Sequence, residues 1–220
     1  IGLPSIVRRY PTYDENARLY MVMAAHEAGH LEFGTFDVSM ARLRDLTEEL
    51  TKRYGRKAPF EARTLGDVFA RYPQPGLIRD LWALIEDARV EYLLRAEYPG
   101  LQGDLASIAK DAVSVRGLAH GMTVRELVVD QLLLLSTAEA DPVPIPDPVK
   151  REVEELWGLC RTILHVQASA EEAVRLADRL YVRMDELLRV RREAIPTQDE
   201  AKAPEQLIPA PKSSEDLSDT

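Results

Sequence analysis

The residues best suited to chemistry in this chain lie in one pentapeptide, His26-Glu27-Ala28-Gly29-His30. Two histidines four apart share a helical face, one turn apart, so both imidazoles can direct a nitrogen at the same ion. Glu27 is offset along the helix, within reach of a water on that ion. Zinc lowers the pKa of such a water to about 7, the glutamate takes its proton, and the hydroxide attacks a polarised carbonyl. The same carboxylate can pass the proton to the leaving amine. The H-E-x-x-H spacing therefore points to metal-dependent peptide or amide hydrolysis. An apolar run, Leu19 to Ala25, precedes the motif. Ala28 and Gly29 are small and let a second helix or a substrate backbone approach closely. Gly29 costs about 1 kcal/mol of helix propensity relative to alanine, which implies a packing or functional reason for it. The competing reading is that both imidazoles are surface groups or partners of core carboxylates. It fits a lone histidine better than two with a glutamate between them.

Catalytic zinc normally has three protein ligands and one open position. The chain has 4 histidines. His120, beside Gly121, suits a helix C-cap, and His165 suits a surface or packing role. A carboxylate is the better third ligand. The stretch Leu84-Ile85-Glu86-Asp87-Ala88-Arg89-Val90-Glu91 offers three acids on a following helix. Glu86 is the first choice as ligand, Asp87 as the group behind it that orients a ligand histidine, and Glu91 as the reserve. The alternative is a solvated charged face in which Arg89 and Arg95 pair with Glu91 and its neighbours. Arg89 would pair with Asp87 or, less commonly, steady an oxyanion. Trp82, Phe36 and Tyr92 read as core residues rather than substrate contacts.

The elements that must position these groups are helices. Apolar spacing and capping residues predict helices over about 15–33, 39–54, 65–71, 76–97, 103–119, 124–138, 148–167 and 170–193. Asp14, Thr64, Thr123 and Ser169 are the expected N-caps, with a capping box at Thr123-Val124-Arg125-Glu126. Gly34, Gly55 and Gly121 are the expected stops. On the fourth helix Leu77, Leu81, Leu84, Ile85, Ala88, Tyr92 and Leu93 recur at helical spacing. A short edge near Glu32 to Asp37 is the best strand candidate. The fold class is all-α, a zincin-like helical domain over 1–139, followed by a proline-rich connector and helical hairpin over 140–195 that packs back on it. Lys57 to Phe60 reads as a loop, and residues 196–220, polar and rich in Pro, Lys, Glu and Ser, as a disordered tail or linker.

Composition narrows the function further. Apolar residues make up 45% and charged residues 30% of 220, the balance of a globular protein with room for a substantial core. The net charge of −9, with basic residues interleaved among acids, argues against nucleic-acid binding. The single cysteine, Cys160, lies in an apolar helical pattern; it suits a buried structural role and a reducing compartment, the cytoplasm. No apolar run reaches membrane-spanning length, and no signal peptide is visible. The first residue is Ile, which suggests a fragment or a processed product.

Three segments together carry a resemblance: His26 to Asp37 (His-Glu-Ala-Gly-His-Leu-Glu-Phe-Gly-Thr-Phe-Asp), Trp82 to Glu91, and Tyr98-Pro-Gly-Leu101. They resemble the metallopeptidase-like region of bacterial nitric oxide reductase activation proteins, over about residues 14–105. That family carries a von Willebrand factor A domain, and related proteins act with MoxR-type AAA+ ATPases in activating metalloenzymes or rubisco. The Asp-x-Ser-x-Ser motif of that domain is not in this sequence, so the similar region is the one upstream of it. The short motif is also similar to that of membrane-bound AAA proteases, although no G-x-x-x-x-G-K-[ST] motif is present. The resemblance implies either a zinc-dependent hydrolase acting on a peptide or protein substrate, or a non-catalytic accessory module of a von Willebrand factor A protein working with such an ATPase.

Overall fold

Local capping chemistry sets most helix boundaries in the computed structural model, which describes residues 2–55, 62–115, 121–137 and 144–194, without the side chains of 112–115 and 192–194. The helices are α1 (Tyr13–Glu32), α2 (Arg44–Tyr54), α3 (Leu65–Phe69), α4 (Pro75–Glu97), α5 (Gln102–Val115), α6 (Val124–Thr137), α7 (Lys150–Cys160) and α8 (Ala170–Ala194). The fold is all-α, with no strand among the described residues. Thr64 and Thr123 cap α3 and α6 through reciprocal bonds with Asp67 and Glu126, and Ser169 caps α8 with Glu172 in the same way. Gly55 closes α2 at φ 66°, a conformation open to glycine at little cost.

Several boundaries differ from the sequence expectation. The N-cap of α1 is Thr12, not Asp14, because Thr12 and Glu15 form a full capping box and start the helix earlier. Residues 39–43 make turns instead of helix: Ser39 N–H is held at 2.9 Å by Glu171 on α8, and Leu43 is drawn fully into the core. The strand candidate Glu32 to Asp37 is a helix end followed by a turn. α7 stops at Cys160 and tightens into a 3₁₀ turn over Arg161–Ile163, where Ile163 is buried. The loop at Lys57–Phe60, His120, residues 140–143 of the proline-rich connector and the tail 196–220 lie outside the described residues.

Helix α4 is the axis of the molecule. It packs against α1 on one side, α8 on another and α6 on a third. Its N-terminal half places Ile78, Leu81, Leu84 and Ile85 in the main core, with Leu46 and Leu50 of α2 and Leu176 and Leu180 of α8. Each fully buried leucine of this kind stabilises the fold by about 1.5–3 kcal/mol. Its C-terminal half contributes Val90 and Leu94 to a second cluster with Val22 of α1 and Leu105 of α5. Helices α7 and α8 form an antiparallel hairpin, with Arg183 on Glu155 and Arg191 on Glu152. Cys160 lies buried at the end of α7, and burial pushes its thiol up to about 12, so it is an inert core group. No helix among the described residues is long and apolar enough to cross a membrane.

Candidate metal centre

The site is built where α1 crosses α4, and a glycine sets the distance between them. A Cβ at Gly29 would lie 2.9 Å from Val90 Cγ1 and 3.2 Å from Leu94. Only a residue without a side chain allows this approach, which accounts for Gly29 inside a helix. Val90 and Leu94 therefore face α1, and on a helix the residue one turn before Val90 on that stripe is Asp87. The close crossing brings the Asp87 carboxylate to the two imidazoles of α1.

His26 Nε2 and His30 Nε2 lie 3.1 Å apart. Asp87 Oδ1 lies 3.3 Å from His30 Nε2 and 3.7 Å from His26 Nε2. These three groups can hold a metal ion together. Ligands at the zinc bond lengths of about 2.0–2.2 Å, on neighbouring corners of a tetrahedron, are separated by about 3.3–3.6 Å. The three observed edges bracket that range. Two imidazole nitrogens and one carboxylate oxygen form a donor set suited to zinc and leave a fourth position open.

The expected first ligand, Glu86, points elsewhere. It is 1% exposed and both its oxygens are engaged. Arg89 donates from Nε to Oε2 at 2.9 Å and from Nη2 to Oε1 at 2.5 Å, and the Thr35 hydroxyl donates to Oε1 at 2.5 Å. Glu86 is one residue, about 100° of helix, away from the stripe that faces α1. Asp87, expected behind the ligand, faces the histidines, while Glu86 stands behind His30. Arg89 pairs with Glu86 and not with Asp87. Glu91 is held by Arg95 at 3.0 Å, and Phe36 is exposed instead of in the core. Trp82 packs against the main core, and His165 is exposed, 4.0 Å from a Glu172 oxygen.

Thr35 links the two layers. The hydroxyl proton goes to the Glu86 carboxylate, so its oxygen accepts from His30 Nδ1–H at 3.0 Å. This fixes the tautomer that leaves the His30 Nε2 lone pair toward His26 and Asp87. The end of α1 puts Thr35 in place. Gly34, at φ 72°, donates to Leu31 O, and Thr35 N–H returns to His30 O at 3.0 Å, the bonding of a Schellman cap. Arg89 extends the network by donating to Phe33 O at 3.0 Å and to Ala168 O at 3.1 Å, which ties α4 to the end of α1 and to the start of α8.

Compared with family models, curated proteins and solved structures, the chain matches none. The reading of the site therefore rests on its geometry and charge. Burial pulls the His26 imidazole down, but the hydrogen bond and charge of Asp87, with Glu91 and Glu27, outweigh it and raise its pKa. Burial pushes the Asp87 carboxyl up, and the two imidazoles more than reverse this, holding it at about 2. An ionised carboxylate beside two imidazoles, with two further acids nearby, draws a cation. Glu27 is half-buried and lines, with His26 and Asp87, a cavity of about 350 Å³. Sequence reasoning missed Thr35; the Gly34-Thr35 pair directly after the motif helix was the available signal, because a glycine stop carries the following residue back over the last turn.

Proposed function

We propose that this chain is a zinc-dependent peptide or amide hydrolase in which His26, His30 and Asp87 hold the ion and Glu27 is the general base. The observation that carries the reading is the convergence of two imidazole nitrogens and one carboxylate oxygen at separations of 3.1, 3.3 and 3.7 Å. A bound zinc ion supplies Lewis acidity, polarising a carbonyl and easing hydroxide formation near neutral pH. Glu27 receives the proton of the attacking water and delivers it to the leaving nitrogen as the carbon–nitrogen bond breaks. Thr35 and Glu86 hold His30 in the ligating tautomer, and Arg89 holds Glu86 in place through two hydrogen bonds. The lone cysteine supports a reducing compartment, the cytoplasm, for this chemistry.

Two substitutions test the proposal. Purified chain binds about one zinc per molecule by elemental analysis, and the His26→Ala/His30→Ala double variant binds none. Glu27→Gln retains zinc but loses peptide hydrolysis, by a factor of about 10² or more. Full activity in Glu27→Gln refutes the general-base assignment. Zinc binding without hydrolysis in the unmodified chain favours the accessory module, for which a MoxR-type ATPase and a von Willebrand factor A domain are the partners to try. Absence of zinc from both proteins removes the metal reading altogether.

A further inference from the structure

The cavity beside the proposed metal centre has two chemically distinct parts. One end carries His26, Glu27, Asp87 and Glu91; the remaining wall is largely apolar and comes mainly from Leu19, Val22 and Met23 of α1, Leu105 and Ile108 of α5 and Leu133 of α6, with Leu3 of the N-terminal segment. At about 350 Å³ it falls at the small end of the ligand-pocket range, about 300–1,000 Å³. No lysine or arginine lines it; His26 and three carboxylates are its titratable groups. An acidic group seated against the apolar wall would lose its hydration without a cationic partner there, a costly step. An uncharged apolar group would lose water on the wall while its attached carbonyl stayed beside Glu27.

Resting on the hydrolase reading above, we infer that this cavity receives an apolar side chain flanking the bond attacked, so that the substrates are peptides with a bulky aliphatic or aromatic residue, and not an acidic one, at that position. The lining supports the inference in two ways. The apolar wall is continuous with the motif helix, because Val22 and Met23 stand one turn before His26 and Glu27. Helices α5 and α6 close the other side, with Leu3 of the N-terminal segment, so most of the wall is set by packing between helices.

Two homologous series of probes test this. Straight-chain hydroxamates from acetyl to hexanoyl are titrated onto zinc-loaded chain by calorimetry. Affinity is expected to rise by up to about fourfold per methylene as each is buried. Straight-chain amides from acetamide to hexanamide are titrated onto metal-free chain, read by the Met23 methyl resonance, and show the same trend at weaker affinity. Leu133→Asp flattens both series but leaves zinc content and acetohydroxamate affinity unchanged; Leu133→Ala, a milder change, keeps the slope measurable if the aspartate variant does not fold. A hydroxamate series with no chain-length dependence on zinc-loaded chain overturns the inference. Amides that bind with the expected slope to a chain that takes up no zinc would overturn the hydrolase reading while leaving the apolar site standing. Flat amide and hydroxamate series with zinc bound would do the reverse.

Discussion

Two adjacent carboxylates on α4 have opposite surroundings, and this separates their roles. The Asp87 side chain is 49% exposed and meets imidazoles, whereas Glu86 and Arg89 are each 1% exposed and meet one another. Removing one partner of a buried ion pair leaves the other charge without compensation, at a cost of about 3–5 kcal/mol. Glu86→Gln is therefore expected to lower the urea midpoint strongly and to weaken zinc binding by about 10–100-fold through loss of His30 orientation. Asp87→Asn removes a ligand from a half-open position, so it should reduce zinc affinity more than Glu86→Gln while costing little stability, under about 1 kcal/mol. Urea denaturation and zinc titration of the two variants measure both effects; the reverse pattern would return Glu86 to the ligand position. The choice between these acids was not legible from the residues alone, because α4 buries apolar groups on several sides and a one-residue offset changes which acid faces α1.

At the scale of elements, the α1–α4 crossing and the α2–α8 contact make different demands. Gly29→Ala gains about 1 kcal/mol of helix propensity. It also places a methyl 2.9 Å from Val90 Cγ1, and valine in a helix has little rotamer freedom to move away. Overpacking of this kind costs about 1–3 kcal/mol. The net expectation is a loss of stability together with weaker zinc binding, since the spread crossing moves Asp87 away from the histidines; thermal unfolding and zinc titration check it. Between α2 and α8, the Arg175 hydrogen bond holds the exposed Asp45 carboxyl at about 2. A depressed carboxyl contributes stability above its unfolded pKa of about 3.9, and that contribution is lost as pH falls through the folded value. Asp45→Asn should thus be slightly less stable than the native chain at neutral pH, and the difference should close between about pH 4 and pH 2 in denaturation curves. A difference that widens on acidification would contradict the assignment.

The whole molecule joins its two apolar clusters through α4, and the proposed metal centre lies beside the smaller of them. A ligand that binds only the folded chain stabilises all of it, by about 2.7 kcal/mol at a hundredfold excess over Kd. For a chain of this size zinc at that excess is expected to raise the midpoint of thermal unfolding by about 5–10 °C. Magnesium, which prefers oxygen donors, should produce no comparable rise at the same concentration. Calorimetric scans with each ion decide the point, and an equal response to both would argue against a site built on imidazole nitrogen. Arg89 reaches Phe33 and Ala168 from α4. The polar network behind the site thus also joins the end of α1 to the beginning of α8.

Helical periodicity, capping residues and glycine stops depend on neighbours a few positions away, so the all-α class, the motif helix ending at Gly34, the α7–α8 hairpin and the buried Cys160 were all legible in the sequence. The pairing of His26 with His30 was legible for the same reason, since one turn of helix defines it. Tertiary packing alone decided what meets those histidines. Gly29 against Val90 sets the rotation of α4 that presents Asp87, and the turn after α1 folds Thr35 onto both His30 and Glu86. Contacts between residues some fifty positions apart depend on interhelical rotation. A helix rotates by about 100° per residue, so periodicity narrows the acid that meets the histidines to a short acidic segment and no further.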